Sequence, residues 1–386
     1  MNFNLSENDQ FEDVDHQVQG EMQKNFIPVT RPHLPLRSRL DHYIDEIYQS
    51  ACLTNFGPLH NRLQTQIADY LCIDHERIVL VSNGSLALQV AFKALGLTGE
   101  VLTTPFSFIA TMSTLIWEGL KPVFCDIDPY SFTLDPKNLG MKITSRTSAI
   151  LPVHVFGSPC EVEAIESFAS SHNLPVIYDA SHCFSTILNG RSILDYGEIS
   201  TLSFHATKLF HSVEGGALVF RDKYLAAKVK LMINFGLDGP NSINCLGTNA
   251  KMSEFHAAMG LAMLDELPEV LSRRKEVWEK YREALSGSAT FQMFSPNASN
   301  NHSYFPVLLR GEEELLQLQA HMLADGISTR RYFYPSLNKT GYLGNEQMCP
   351  ISESVSSRIL CLPIFSTLTN LEQERVIKSF LEGLGR

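Results

Sequence analysis

The sequence predicts an α/β protein, with a large domain on a mostly parallel sheet and a smaller α+β domain beside it. Three observations carry this. Between Asn61 and Phe220 short apolar runs alternate with helical stretches, the rhythm of strands and crossover helices. Those runs are apolar throughout rather than alternating, which suits strands buried on both faces. The chain has 386 residues, more than the roughly 250–300 that one core supports, so a second unit is expected.

Each element follows in order. Residues 27–60 open rich in proline and continue as a helix with Leu40, Ile44 and Ile47 on one face, closed by the loop TNFGP. NRLQTQIADYL is a helix, and RIVLVSNGS is a strand running into a glycine turn. SLALQVAFKALGL is a helix ended by glycine, and EVLTTPFS is a second strand with its loop. IATMSTLIWEGL is helical, and PVFCDID is a short strand. The alternation runs on through SAILPVHVFG, ESFASSHNL and PVIYDAS. After EGGALVF the pattern turns helical, as MSEFHAAMGLAMLDEL and then EVLSRRKEVWEKYREALSG, with Pro268 between them as a kink or boundary. The rest reads strand, helix, strand, helix. The large domain is therefore expected over 61–267, and the small one over 27–60 and 268–386.

Charge and hydropathy exclude some functions. The 31 bases and 42 acids give a net charge of −11, against a general binder of nucleic-acid polymers. No run of about 18 apolar residues is present to span a membrane. Residues 1–26 carry Glu7, Asp9, Glu12, Asp13, Asp15 and Glu21 against Lys24 and read as a solvated acidic tail rather than a secretory signal. The eight cysteines are scattered without a CxxC, so reduced thiols in the cytoplasm are expected, with no metal site.

The chemistry concentrates in VIYDASHCFS and in ISTLSFHATKLFHSVEGGALVF. Asp179 ends a strand, and ligands of open α/β sheets bind outside the carboxyl ends of strands. Lys208 precedes the pair Gly215 and Gly216. Upstream, Asn83-Gly84-Ser85 joins a strand to a helix, where backbone N–H groups can cradle a phosphate. Singly, these are also a helix cap, a surface lysine and a plain turn. In this order within one domain they suit pyridoxal 5′-phosphate (PLP). That cofactor needs a phosphate anchor, a lysine for its imine and an acid facing its ring nitrogen.

From Ile27 to the C-terminus the chain resembles the DegT/DnrJ-type sugar-nucleotide aminotransferases, which have the aspartate-aminotransferase-like PLP fold type I. The resemblance rests on NFGP, SNGSLAL, TTPFSFIAT, PVFCDID, LPVHVFG, VIYDASH, SFHATK, EGGA, GTNAKMSEFHAAMGL, ADGI and LCLPIF, in that order. It implies that Lys208 is the Schiff-base lysine and proton carrier, and that Asp179 pairs with the pyridinium nitrogen. It places His182 beside the ring and Phe108 on its face. Gly84, Ser85 and Ser203 would hold the phosphate, and Asn249 would reach the phosphate of a neighbouring subunit in a homodimer. A packing histidine remains open for position 182.

One segment departs from the family pattern. Asn249-Ala250-Lys251-Met252 has lysine where arginine is usual, keeping charge but losing a bidentate fork. Arg330 and Arg331 read as a solvated basic pair, with a substrate diphosphate as the other reading.

The nearest branch within the family transfers an amino group from L-glutamate to a dTDP-4-keto-6-deoxyhexose, giving a 4-amino-4,6-dideoxy sugar for cell-surface polysaccharide such as O-antigen. Amination at C3 is the alternative within the family. A non-catalytic regulatory protein is the alternative from another class, and the presence of Lys208 and Asp179 argues against it. Lys208 likewise argues against the related dehydratases, which carry histidine there. A cysteine desulfurase would need a loop cysteine near the cofactor, and Cys349 is the candidate.

Overall fold

The computed structural model describes residues 26–341 and 347–386. The acidic segment expected as a tail lies, apart from Phe26, outside the described residues.

Strand β1 (Ile78–Val81) leads into helix α3 (Gly84–Ala94), after helices α1 (Arg37–Ser50) and α2 (Pro58–Leu71). Strand β2 (Glu100–Thr103), helix α4 (Ile109–Trp117), strand β3 (Lys121–Phe124) and strand β4 (Thr147–Leu151) follow. Helix α5 (Val162–Ser171), strand β5 (Ile177–Asp179), strand β6 (Ile199–Ser203) and strand β7 (Gly216–Phe220) complete the run, before helix α6 (Lys223–Met232). The strand order is β3-β2-β4 in one group and β5-β6-β7-β1 in the other. Parallel bridges Ile150–Val176 and Val153–Asp179 join the two groups. Within this sheet, among the described residues, only β7 runs antiparallel, against both β6 and β1.

The apolar strand runs have the expected cause. Ile78, Leu80, Leu102, Ile150, Tyr178, Leu202, Ala217 and Val219 face one core layer. Val79, Val81, Val101, Leu151, Ile177, Ile199, Leu218 and Phe220 face the other. Each of these six strands thus buries both of its faces, whereas β3 keeps Lys121 exposed. The carboxyl ends of β1, β2, β5 and β6 open on one side, where the chemistry gathers.

Helix α7 (Glu254–Ala284) corrects the expectation of a break at Pro268. The helix runs unbroken for 31 residues. Proline forfeits one backbone bond and costs about 3 kcal/mol in a helix interior. Burial of Glu266, Leu267 and Val270 around it holds the helical path. The N-terminal half of α7 packs in the large core through Ala258, Leu261 and Met263. Its C-terminal half packs in the small core through Val277 and Tyr281. That small core is built on an antiparallel sheet of β8 (Thr290–Phe291), β9 (Pro306–Leu308) and β10 (Ile359–Cys361). Helices α8 (Glu312–Ala324) and α10 (Asn370–Gly383) pack in this core, while α9 (Pro350–Arg358) sends Val355 into a separate cluster with Phe106 and Phe333. Ile27 joins the small core, whereas Tyr43 and Ile47 pack with the large one, so residues 27–60 divide between them.

The loop NFGP has a packing reason. The carboxylate of Glu254, at the start of α7, accepts the N–H groups of Leu59 and His60 at 2.8 Å each. These are orphan donors in the first turn of α2. A Cβ on Gly57 would stand 2.5 Å from the Glu254 carboxyl carbon, so only glycine leaves room.

Candidate active site

All but one of the predicted residues converge on one cavity of about 540 Å³. Gly84, Ser85, Phe108, Asp179, His182, Ser203 and Lys208 all line it. Asn249 does not. It is exposed in the loop that follows α6, bridged to Asn234.

The Asn83-Gly84-Ser85 turn opens helix α3 at the cavity. Asn83 caps α3, its side chain accepting the Leu86 N–H at 2.8 Å, while its carbonyl takes the Ala87 N–H. The N–H groups of Gly84 and Ser85 are left without intrahelical acceptors at the positive end of the helix. Gly84 faces Ser203 so closely that an added Cβ would sit 2.8 Å from the Ser203 Cβ. The glycine pair has a similar reason. A Cβ on Gly216 would meet the Leu202 carbonyl at 2.7 Å and the backbone of Asn83 at 2.9 Å.

Asp179 is buried at the end of β5. Its Oδ1 accepts the Ser181 N–H at 3.1 Å and the Ser181 hydroxyl at 2.6 Å. Its Oδ2 accepts the Thr111 hydroxyl at 2.9 Å, and Thr111 is itself paired with Ser107 at 2.7 Å. A carboxylate has about four lone-pair sites, so Oδ2 keeps capacity toward the cavity. These three hydroxyl residues went unmarked in the sequence, although Ser107 and Thr111 lie inside TTPFSFIAT. Isolated hydroxyls carry no periodic signal.

Lys208 lies in the loop between β6 and β7. Burial pushes its Nζ from the usual 10.5 down to about 8, and the charge of Asp179 works against the shift. His182 is held neutral by burial, with Lys208 nearby adding to the effect. Its Nδ1 accepts the Phe156 N–H at 3.1 Å, so its ring proton sits on Nε2. The ring also stacks on Phe333 at 5.9 Å and meets Tyr304 at 4.7 Å. Position 182 is therefore both a cavity wall and a packing element. Phe108 is 51 % exposed, an apolar ring free on the cavity side rather than in the core.

The basic pair after ADGIST is solvated at Arg330, which is exposed, but not at Arg331, which is half-buried. Arg330 lines the cavity, and Arg331 ion-pairs with Glu312 and donates to the Ser357 carbonyl at 3.0 Å. Lys251 is only 9 % exposed, lies over the Phe235 ring at 5.0 Å and does not line the cavity. Cys349 is fully buried among Met112, Phe124 and Leu337, away from the cavity, and burial pushes its thiol up to about 12. A desulfurase nucleophile needs the opposite, an accessible thiolate.

A lysine with a lowered pKa, a buried acid and an open helix N-terminus around one crevice define the kind of site that binds a phosphorylated carbonyl cofactor. Comparison with known proteins makes the class specific. Residues 36–381 match the DegT/DnrJ/EryC1/StrS aminotransferase family, and the chain belongs to it. It is therefore a PLP-dependent aminotransferase of fold type I. It is 38% identical over 361 residues to a dTDP-4-amino-4,6-dideoxy-D-glucose transaminase of Shigella dysenteriae, covering 92% of this chain and 98% of that one. An Escherichia coli transaminase of the same name is 37% identical over 367 residues, with the same coverage. Among solved structures, DesI with its TDP-sugar product superposes with a TM-score of 0.87 at 35% identity, covering 94% of each chain.

Proposed function

We propose that this aminotransferase moves the amino group of L-glutamate onto C4 of a dTDP-4-keto-6-deoxyhexose. The product is a dTDP-4-amino-4,6-dideoxy sugar, made in the cytoplasm for surface polysaccharide. The observation that carries the reading is Lys208 and Asp179 in one cavity of a chain so similar, over nearly its whole length, to transaminases of that name.

The chain's own residues fit the cofactor. The free N–H groups of Gly84 and Ser85, with the Ser203 hydroxyl beside them on the cavity wall, would hold the phosphate. The open capacity of Asp179 Oδ2 accepts the ring N–H, and Phe108 and His182 bound the ring. Bound there, PLP supplies an aldehyde for imine formation and a ring that takes up electrons. Lys208 Nζ would hold the cofactor's carbonyl carbon, and its lowered pKa suits it to take a proton from the donor's α-carbon. Asn249 lies on an exposed loop with exposed Phe235, Ile243 and Leu246, which supports a homodimer in which it would reach the partner's phosphate.

The test is incubation of the loaded protein with glutamate and a panel of keto-sugar nucleotides, with NMR of the product. A 4-amino dTDP sugar is expected, and Lys208→Ala should form none. A 3-amino product, or turnover confined to a GDP sugar, would overturn the assignment.

A further inference from the structure

The cavity has a second wall, from the small domain, made of Tyr304, Arg330, Tyr332 and Phe333. None of the roles above uses it. The guanidinium of Arg330 lies over the Tyr332 ring at 4.7 Å. Among the described residues it forms no ion pair, while the adjacent Arg331 is neutralised by Glu312. The two carboxylates that line the cavity are engaged elsewhere. Asp179 holds Ser181 and Thr111, and Glu214 faces His205 at 3.7 Å. Burial raises the pKa of Tyr304, and of Tyr332 to about 12, so both phenols keep their protons at neutral pH. The Tyr304 hydroxyl donates to no acceptor among the described residues.

The wall therefore offers a planar cationic fork and phenol donors, with no protein anion to receive them. Such a fork matches the paired oxygens of a carboxylate or phosphate. The cofactor's phosphate has its own cradle at the start of α3. We propose that Arg330, supported by Tyr304 and Tyr332, is the subsite for an anionic group of the substrates. Both substrates of the proposed reaction, on which this inference rests, carry one. Glutamate brings carboxylates and the sugar nucleotide a diphosphate.

The experiment compares Arg330→Gln, Arg330→Lys and Arg331→Gln in PLP-loaded protein. Absorbance of the cofactor separates the two half-reactions, glutamate first and keto sugar second. Calorimetry of glutarate and of dTDP measures binding without turnover. Losing a charge-assisted hydrogen bond should weaken the affected arm about 10- to 100-fold in Arg330→Gln. Arg330→Lys should recover part of this, and Arg331→Gln should leave both arms intact. A loss with glutamate and glutarate assigns the subsite to the donor carboxylate. A loss with the keto sugar and dTDP assigns it to the diphosphate. Unchanged affinity for all of these ligands in Arg330→Gln overturns the proposal. If the parent protein turns over neither substrate, the reaction reading fails, and calorimetry still decides the subsite.

Discussion

The titration of Lys208 in the cofactor-free protein is open to direct measurement. Burial lowers its pKa from 10.5 to about 8. At pH 7 that leaves about 9 % of the amine neutral, against about 0.03 % for an ordinary lysine, a gain of roughly 300-fold in the nucleophilic form. The assay is the initial rate of PLP capture by the cofactor-free protein across a pH series, trapped with borohydride and read at Lys208 by peptide mass. The rate should rise with pH and level off near 8 to 9. Asp179→Asn adds a sign test. The carboxylate charge raises the lysine pKa, so removing it should move the midpoint lower. Linkage gives a second readout. Above pH 8 the unfolded chain holds the Lys208 proton that the folded one has lost, so this group's contribution to stability rises with pH up to about 10.5. A capture midpoint near 10.5, or an upward move in Asp179→Asn, would refute the argument.

Two other predictions follow from close packing. Gly84→Ala puts a Cβ 2.8 Å from that of Ser203, so PLP affinity should fall about 10- to 100-fold through lost phosphate contacts, measured by equilibrium dialysis. The same close approach overpacks the cofactor-free protein, whose stability should fall by about 1–3 kcal/mol; equal PLP affinity would contradict the role given to this turn. Glu254→Ala strands the N–H groups of Leu59 and His60 and should cost about 3 kcal/mol in denaturant unfolding, and a loss below about 0.5 kcal/mol would contradict the role given to this carboxylate.

The parts legible in the sequence are those whose cause is local. Two-sided burial made the strands of the large sheet readable as apolar runs. Asp179 and Gly84 follow strands directly, so the strand pattern placed them at the crevice. Lys208 needed the whole SFHATK context, because a lysine in a loop has no pattern of its own. What escaped depends on distant packing. Tyr304, Arg330, Tyr332 and Phe333 reach the cavity only because chain segments far apart in sequence fold together. Arg330 and Arg331 are neighbours of one residue type, and only the direction of each side chain separates a cavity residue from one paired with Glu312. Pro268 looked like a boundary because propensity speaks for the isolated helix, whereas packing on both sides of it decides the folded one.

Helix α7 has a thermodynamic consequence. At 1.5 Å per residue it is a rod of about 46 Å, half of it in each core. Neither core can melt without baring the half of the rod it holds, and a helix end stripped of its packing is marginal in water. The shared helix therefore couples the stability of the two cores. A substitution that loosens Val277 or Tyr281, in the small core, also depletes the population of molecules with an intact pocket around Lys208.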